Sequence, residues 1–174
     1  YTGILHDTNV FKNSNTTERT MQVAGAMMAK GINFSRIIDE SFYKKTYVQN
    51  QIMGRALLES ITFLDGKAIF SALRQSDLDF YGVTGKDLDG IIDQLRLTRD
   101  IEVALLASAS DTEANTYKFS MRSNHFVDVA AVAGKFGGGG HVRAAGFSAV
   151  GDINEIYHTA EALIKEQLDT CTME

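Results

Sequence analysis

The chain has 174 residues, 44% of them hydrophobic, which is enough to bury a real core in one or two domains. A net charge of −5 argues against a protein that tracks long nucleic acid by backbone charge alone, and leaves room for a small anionic ligand held by a few local donors. No apolar run is long enough to span a bilayer. The first residues carry no basic segment of the signal-peptide kind, and a lone Cys171 offers no disulfide framework, so a cytoplasmic setting is expected.

In chain order, Tyr1-Thr2-Gly3-Ile4-Leu5 reads as a buried strand ending at His6-Asp7-Thr8-Asn9. It starts without a methionine or any run-up, so a piece of a longer protein is expected. A helix follows, with Asn15 as N-cap and Glu18 reaching back as in a capping box. Met21, Ala24 and Met28 share one face of it, and Gly31 stops it. A shorter helix covers residues 35–42. The next is expected from about Thr46 to Phe63, with Val48, Ile52 and Ala56 on one side and Met53, Leu57 and Ile61 beside them. It reads as a connector between two lobes.

From Lys67 the texture changes. Residues 67–73 read as a strand, and Thr84 with Asp87 opens a helix carrying Leu88, Ile91, Ile92 and Leu95 at core spacing. Residues 101–107 form a buried strand, 111–116 a polar loop, and 117–122 an alternating partner strand. A short helix over 127–136 leads into a run of glycines, and a strand follows over 144–150. The last helix starts at Asp152, with Ile153, Ile156, Tyr157, Ala160, Leu163 and Ile164 as its core face. Strands interleaved with helices predict a layered α/β domain over about 67–172.

The most informative stretch is Phe136-Gly137-Gly138-Gly139-Gly140-His141-Val142-Arg143-Ala144-Ala145-Gly146-Phe147. Four consecutive glycines suit unusual backbone angles or close approach by a ligand. Bare N–H groups there could form a nest for an anion. His141 and Arg143 add donors that suit phosphate. The alternative, a flexible linker, sits poorly between an apolar-periodic segment and Ala-Ala-Gly-Phe.

Three further positions carry chemistry of their own. Asp7, at the expected strand end, suits a hard cation or manganese, or else caps its own turn. Arg122, closing a strand, could clasp a phosphate with its guanidinium fork, or be an ordinary solvated arginine. Arg143 is open between ligand contact and solvent. His125 reads as surface, and His6 and His158 as weaker candidates.

These pieces resemble the DHH phosphoesterases that carry a C-terminal DHH-associated domain, in particular the oligoribonuclease and phosphoadenosine-phosphate (pAp) phosphatase type. Residues 1–8 look like that family's last metal-binding motif. Phe11 and Ser14–Thr17 look like the segment after it, and Ser120-Met121-Arg122-Ser123 like its arginine motif. Residues 136–147 look like its glycine–histidine substrate loop, and Asp87-Leu88-Asp89-Gly90 like a lesser acidic motif. The resemblance implies the end of a DHH catalytic lobe over 1–45, a linker helix over 46–66, and a mixed-sheet substrate-binding domain over 67–172. It implies Asp7 as a manganese ligand and catalytic residue. Arg122, Ser123, Gly137, Gly138, Gly139, Gly140, His141 and Arg143 would bind substrate.

The implied parent is a manganese-dependent phosphoesterase acting on short RNA oligonucleotides or on pAp. The family's front half, with its remaining metal motifs, is absent from this sequence. One carboxylate cannot hold two manganese ions, so the chain alone is expected neither to bind them nor to hydrolyse well. Apolar surface left on the first helices by that missing half predicts self-association or partial disorder there. A nucleotide or RNA-end binding module without its own chemistry is the alternative, and a cyclic-dinucleotide phosphodiesterase is a second.

Overall fold

The structure, a computed structural model, describes residues 1–110, 113 and 115–171. The polar loop expected over 111–116 therefore lies partly outside the described residues. The chain forms two compact units, Tyr1–Thr46 and Tyr47–Glu174.

The first unit is helical throughout its described elements. They are α1 (Thr2–Thr8), α2 (Glu18–Met28), α3 (Phe34–Ile38) and a π-helical turn over Asp39–Tyr43. The strand expected over residues 1–5 is a helix instead. A strand needs a neighbour for its backbone groups, and none of these elements is one. As a helix the segment closes its own hydrogen bonds and buries Leu5 and Thr8, with the Thr8 hydroxyl donating to the Ile4 carbonyl at 2.7 Å. The cap of α2 also moves. Thr17 is the N-cap and exchanges hydrogen bonds with Thr20, while Asn15 turns back to Asp7.

The second unit is a six-stranded mixed sheet with helices on both faces. It contains α4 (Tyr47–Leu58), β1 (Ile61–Phe63), β2 (Ala68–Leu73), α5 (Gln75–Tyr81), a 3-10 turn over Gly85–Leu88, and α6 (Ile91–Arg96). Then come β3 (Val103–Ala109), β4 (Thr116–Ser123), α7 (Val129–Lys135), β5 (Gly139–His141), β6 (Ala144–Val150) and α8 (Ile153–Cys171). The strand order is β1-β2-β3-β4-β6-β5, with β2 and β3 parallel and every other pair antiparallel. The mixed α/β class read from the sequence is the class observed.

Two expectations about this unit need correction, and one helix was missed. The long helix from Thr46 ends at Leu58, and Ile61–Phe63 turns back to pair with β2. The apolar repeat had carried the helix reading across Ser60, whose hydroxyl binds the Leu57 carbonyl and marks the stop. The helix expected from Thr84 through Leu95 is broken. Asp87 Oδ2 accepts from the Thr84 N–H at 3.0 Å, but Asp89 is extended and Gly90 sits at φ 85°, so a 3-10 turn and α6 share the work. Helix α5 was not anticipated. Its signals were Asp77, which accepts from the Arg74 N–H at 2.9 Å, and Gly82 in a left-handed C-cap.

Two apolar layers hold the sheet. On one face Phe70, Leu105, Phe119, Met121 and Phe147 pack against α7 and α8, including the predicted Ile156, Ala160 and Ile164. On the other, Ile69, Leu73, Ala104 and Leu106 pack against α4, α5 and α6. Each fully buried Leu, Ile or Phe contributes about 1.5–3 kcal/mol. The second layer stops at β3. Beyond it, on the same face, β4 and β6 present Lys118, Ser120, Arg122, Ala144, Gly146 and Ser148, all half-buried or exposed.

Candidate functional site

That uncovered half-sheet brings the sequence candidates together. Strand register pairs His141 with Ala144 and Ala144 with Arg122, so the three residues form one row across β5, β6 and β4. Directly paired residues project to the same face. His141 and Arg122 therefore flank Ala144, with two strand spacings, about 10 Å, between their backbones. The next row on that face is Gly139, Gly146 and Ser120. The result is a shallow floor of small side chains with a cation at one wall and an imidazole at the other.

The glycine run does several jobs, and only one concerns this floor. Gly137, at φ 77°, ends α7. Its N–H and that of Gly138 bond the carbonyls of Gly134 and Ala133 in a Schellman arrangement. Those two donors are consumed by the helix end, so the four-residue anion nest expected from sequence does not form. A Cβ on Gly138 would lie 2.3 Å from the Gly146 carbonyl, and one on Gly140 would lie 2.5 Å from the Ala144 carbonyl. Both glycines let β5 lie close against β6. Gly137 and Gly139 both have open space where a side chain would be, but only Gly139 has an unstrained φ and a place in the floor row.

The named side chains differ in availability. The His141 side chain is exposed and makes no hydrogen bond among the described residues. Arg122 is half-buried; its Nη1 donates to the Met121 carbonyl at 3.0 Å and its Nε lies 3.5 Å from Asp93 Oδ1. Arg143 works as a strut, donating from Nη1 to the Val127 carbonyl at 2.8 Å and from Nη2 to the His125 carbonyl. Ser123 is buried, and its hydroxyl reaches the Val142 carbonyl at 3.5 Å. These two residues fix the hairpin that carries His141.

Residues 65–166 match the family description "DHHA1 domain". The chain belongs to the DHHA1 family. It is 30% identical over 169 residues to the bifunctional oligoribonuclease and PAP phosphatase NrnA of Thermus thermophilus, covering 96% of this chain and 49% of that protein. The protein of the same name from Bacillus subtilis is 24% identical, covering 95% of this chain and 52% of the relative. The chain thus spans about half the length of these relatives. Among solved structures, an exopolyphosphatase-related protein from Bacteroides fragilis superposes with a TM-score of 0.85 at 18% identity, over 94% of this chain and 47% of that one. That likeness bears on the fold.

Within this DHHA1 chain, Asp7 belongs to the first unit, on α1, exposed, with Oδ2 accepting from Asn15 Nδ2 at 3.2 Å. It lines a small hollow of about 220 Å³ together with Arg19, Thr20 and Asn15. No group of three or more His, Cys, Asp or Glu side chains converges among the described residues. A lone carboxylate beside an arginine is not a manganese donor set, so no chemical step is assigned to a metal here. No helix among the described residues is long and apolar enough to cross a membrane.

Sequence reading missed the device that holds the 125–127 loop of the DHHA1 unit. Glu102 is buried, and its carboxylate accepts the backbone N–H groups of His125, Phe126 and Val127. Asn124, next to them, donates to the Ile101 carbonyl at 2.7 Å and accepts from Arg96 Nη1 at 2.9 Å. The loop that Arg143 grips is therefore fixed from two sides. A glutamate inside an otherwise apolar strand, Ile101-Glu102-Val103, was the available signal. A cavity of about 950 Å³ opens at this end of the unit, lined in part by Lys67, Arg96, His125, Phe126 and Lys165.

Proposed function

We propose that this chain is the C-terminal part of a phosphoesterase that hydrolyses short oligoribonucleotides or pAp, and that its DHHA1 unit grips the nucleotide and its phosphate. The supporting observation is the His141–Ala144–Arg122 row above the floor of Gly139, Gly146 and Ser120. A guanidinium offers directed donors to phosphate oxygens. An exposed imidazole can donate to phosphate or lie against a base, and neither role needs it to be a general base. The flat floor between them accepts a planar group without a side chain in the way. Names of the relatives, with their oligoribonuclease and PAP phosphatase activities, support the same substrate class.

In such an enzyme this surface contributes binding energy remote from the bond that breaks, and uses it to hold the scissile phosphoester in position. Manganese, expected for the parent, would be held by residues beyond this donor set. The test is calorimetric titration of the 174-residue chain with pAp and with a 5′-phosphorylated dinucleotide. Arg122→Ala and His141→Ala should each weaken binding by about tenfold or more, the range for a charge-assisted hydrogen bond. Unchanged affinity in both variants would remove the row from the site.

A further inference from the structure

Asp93 stands at the back of the arginine proposed to hold phosphate, and the sequence motifs give it no role. It lies on α6, half-exposed, and its Oδ1 is 3.5 Å from Arg122 Nε and 3.7 Å from Arg96 Nε. Arg96 is anchored independently, because its Nη1 donates to Asn124 Oδ1 at 2.9 Å. Arg122 has no such second anchor on its Nε edge. Its Nη1 goes to the Met121 carbonyl, Nε faces Asp93, and Nη2 has no partner among the described contacts.

A guanidinium binds an oxyanion best with two parallel N–H bonds from one edge. Here one Nη1 proton goes to a main-chain carbonyl, while neither Nε nor Nη2 makes a hydrogen bond among the described residues, so the Nε–Nη2 edge is the one with both donors unspent. Asp93 sits against half of that edge. We propose that Asp93 tempers the grip of Arg122: with its carboxylate in place an incoming phosphate is held by Nη2 alone, and it gains the second bond only by displacing Asp93. The inference rests on the reading of Arg122 as the phosphate-binding residue. In an enzyme that must release a phosphorylated product each turn, a weakened grip of this kind favours turnover over retention.

A residue that only supports the fold can weaken binding when removed, but it does not strengthen it. Asp93→Asn should therefore tighten binding of pAp to the 174-residue chain by about fivefold, the upper range for releasing an exposed ion pair. Asp93→Glu, which keeps the carboxylate, should gain less. Both variants leave the Arg96–Asn124 bond in place, and circular dichroism melts check the fold.

The double variant Asp93→Asn/Arg122→Ala decides how the gain arises. Loss of the gain on the Arg122→Ala background supports competition for the guanidinium. A gain that persists there means that Asp93 acts only through its charge, and overturns the proposal. Unchanged or weaker binding by Asp93→Asn, while Arg122→Ala still impairs binding, also overturns it and leaves the proposed function standing. If Arg122→Ala binds like the wild type, the reading of Arg122 as the phosphate-binding residue fails first and this inference with it.

Discussion

The two faces of the β4–β6–β5 half-sheet are made from the same strands and do opposite work. On the closed face Phe147 stacks between Phe136 and Phe119, with ring centroids at 4.1 and 4.7 Å, under α7. On the open face the intervening residues are Ala144, Gly146, Ser120 and Arg122, and nothing larger than a serine lies between the histidine and the arginine. One-residue alternation thus separates the group that fixes the strands from the group proposed to meet a ligand. A substitution on the closed face should cost stability first. On the open face it should cost binding with stability left intact.

The largest effect expected is on the closed face. Phe147→Ala removes a buried ring from a three-ring stack and leaves a cavity, which costs about 3–5 kcal/mol. Denaturant or thermal melts measure it directly. A loss below about 1 kcal/mol would mean that the stack does not hold β6 against α7.

The glycine run separates the faces within a single tetrapeptide. Gly138→Ala drives a methyl into the Gly146 carbonyl, and Gly140→Ala does the same at the Ala144 carbonyl with a φ of 148° besides. Each should destabilise by about 1–3 kcal/mol. Gly139→Ala enters open space, with ordinary backbone angles, and should leave the melting temperature nearly unchanged. Gly139→Val keeps that property but fills the floor, so it should weaken pAp binding while the fold persists. If Gly139→Val binds pAp as the wild type does, the ligand does not lie on that floor.

The same run shows how far sequence reached. Strand β6 spans the residues read from the pattern, because Ala145, Phe147 and Ala149 alternate with small or polar neighbours. Four glycines together were also correctly legible as a place of unusual backbone. Their reasons were not, since a helix stop, two close strand contacts and one open position all look like glycine in a sequence. Arg143 was open between ligand and solvent for a related cause: its partners, the carbonyls of Val127 and His125, are main-chain atoms that no sequence pattern displays. Residues 1–5 failed differently. Five residues of mixed apolar and β-branched character carry no period long enough to separate strand from helix, and the choice fell to the neighbours that α1 packs against.

The smallest expected effect concerns the turn that delivers α6, and with it Asp93, to the open face. The Thr84 backbone N–H, then its hydroxyl, hold the Asp87 carboxyl below its ordinary range. A carboxylate with a depressed folded-state pKa contributes stability that is present above its unfolded value, about 4, and is lost as pH falls through the folded value. Asparagine keeps an acceptor for the Thr84 N–H but cannot titrate. The wild type should therefore melt slightly higher than Asp87→Asn at neutral pH, and the difference should close as the pH is lowered toward 3. A gap that does not change with pH would assign the turn to geometry alone. Its charge would then have no part in setting where α6 begins, and Asp93 would owe its place beside Arg122 to the apolar face of α6, through Ile91, Ile92 and Leu95.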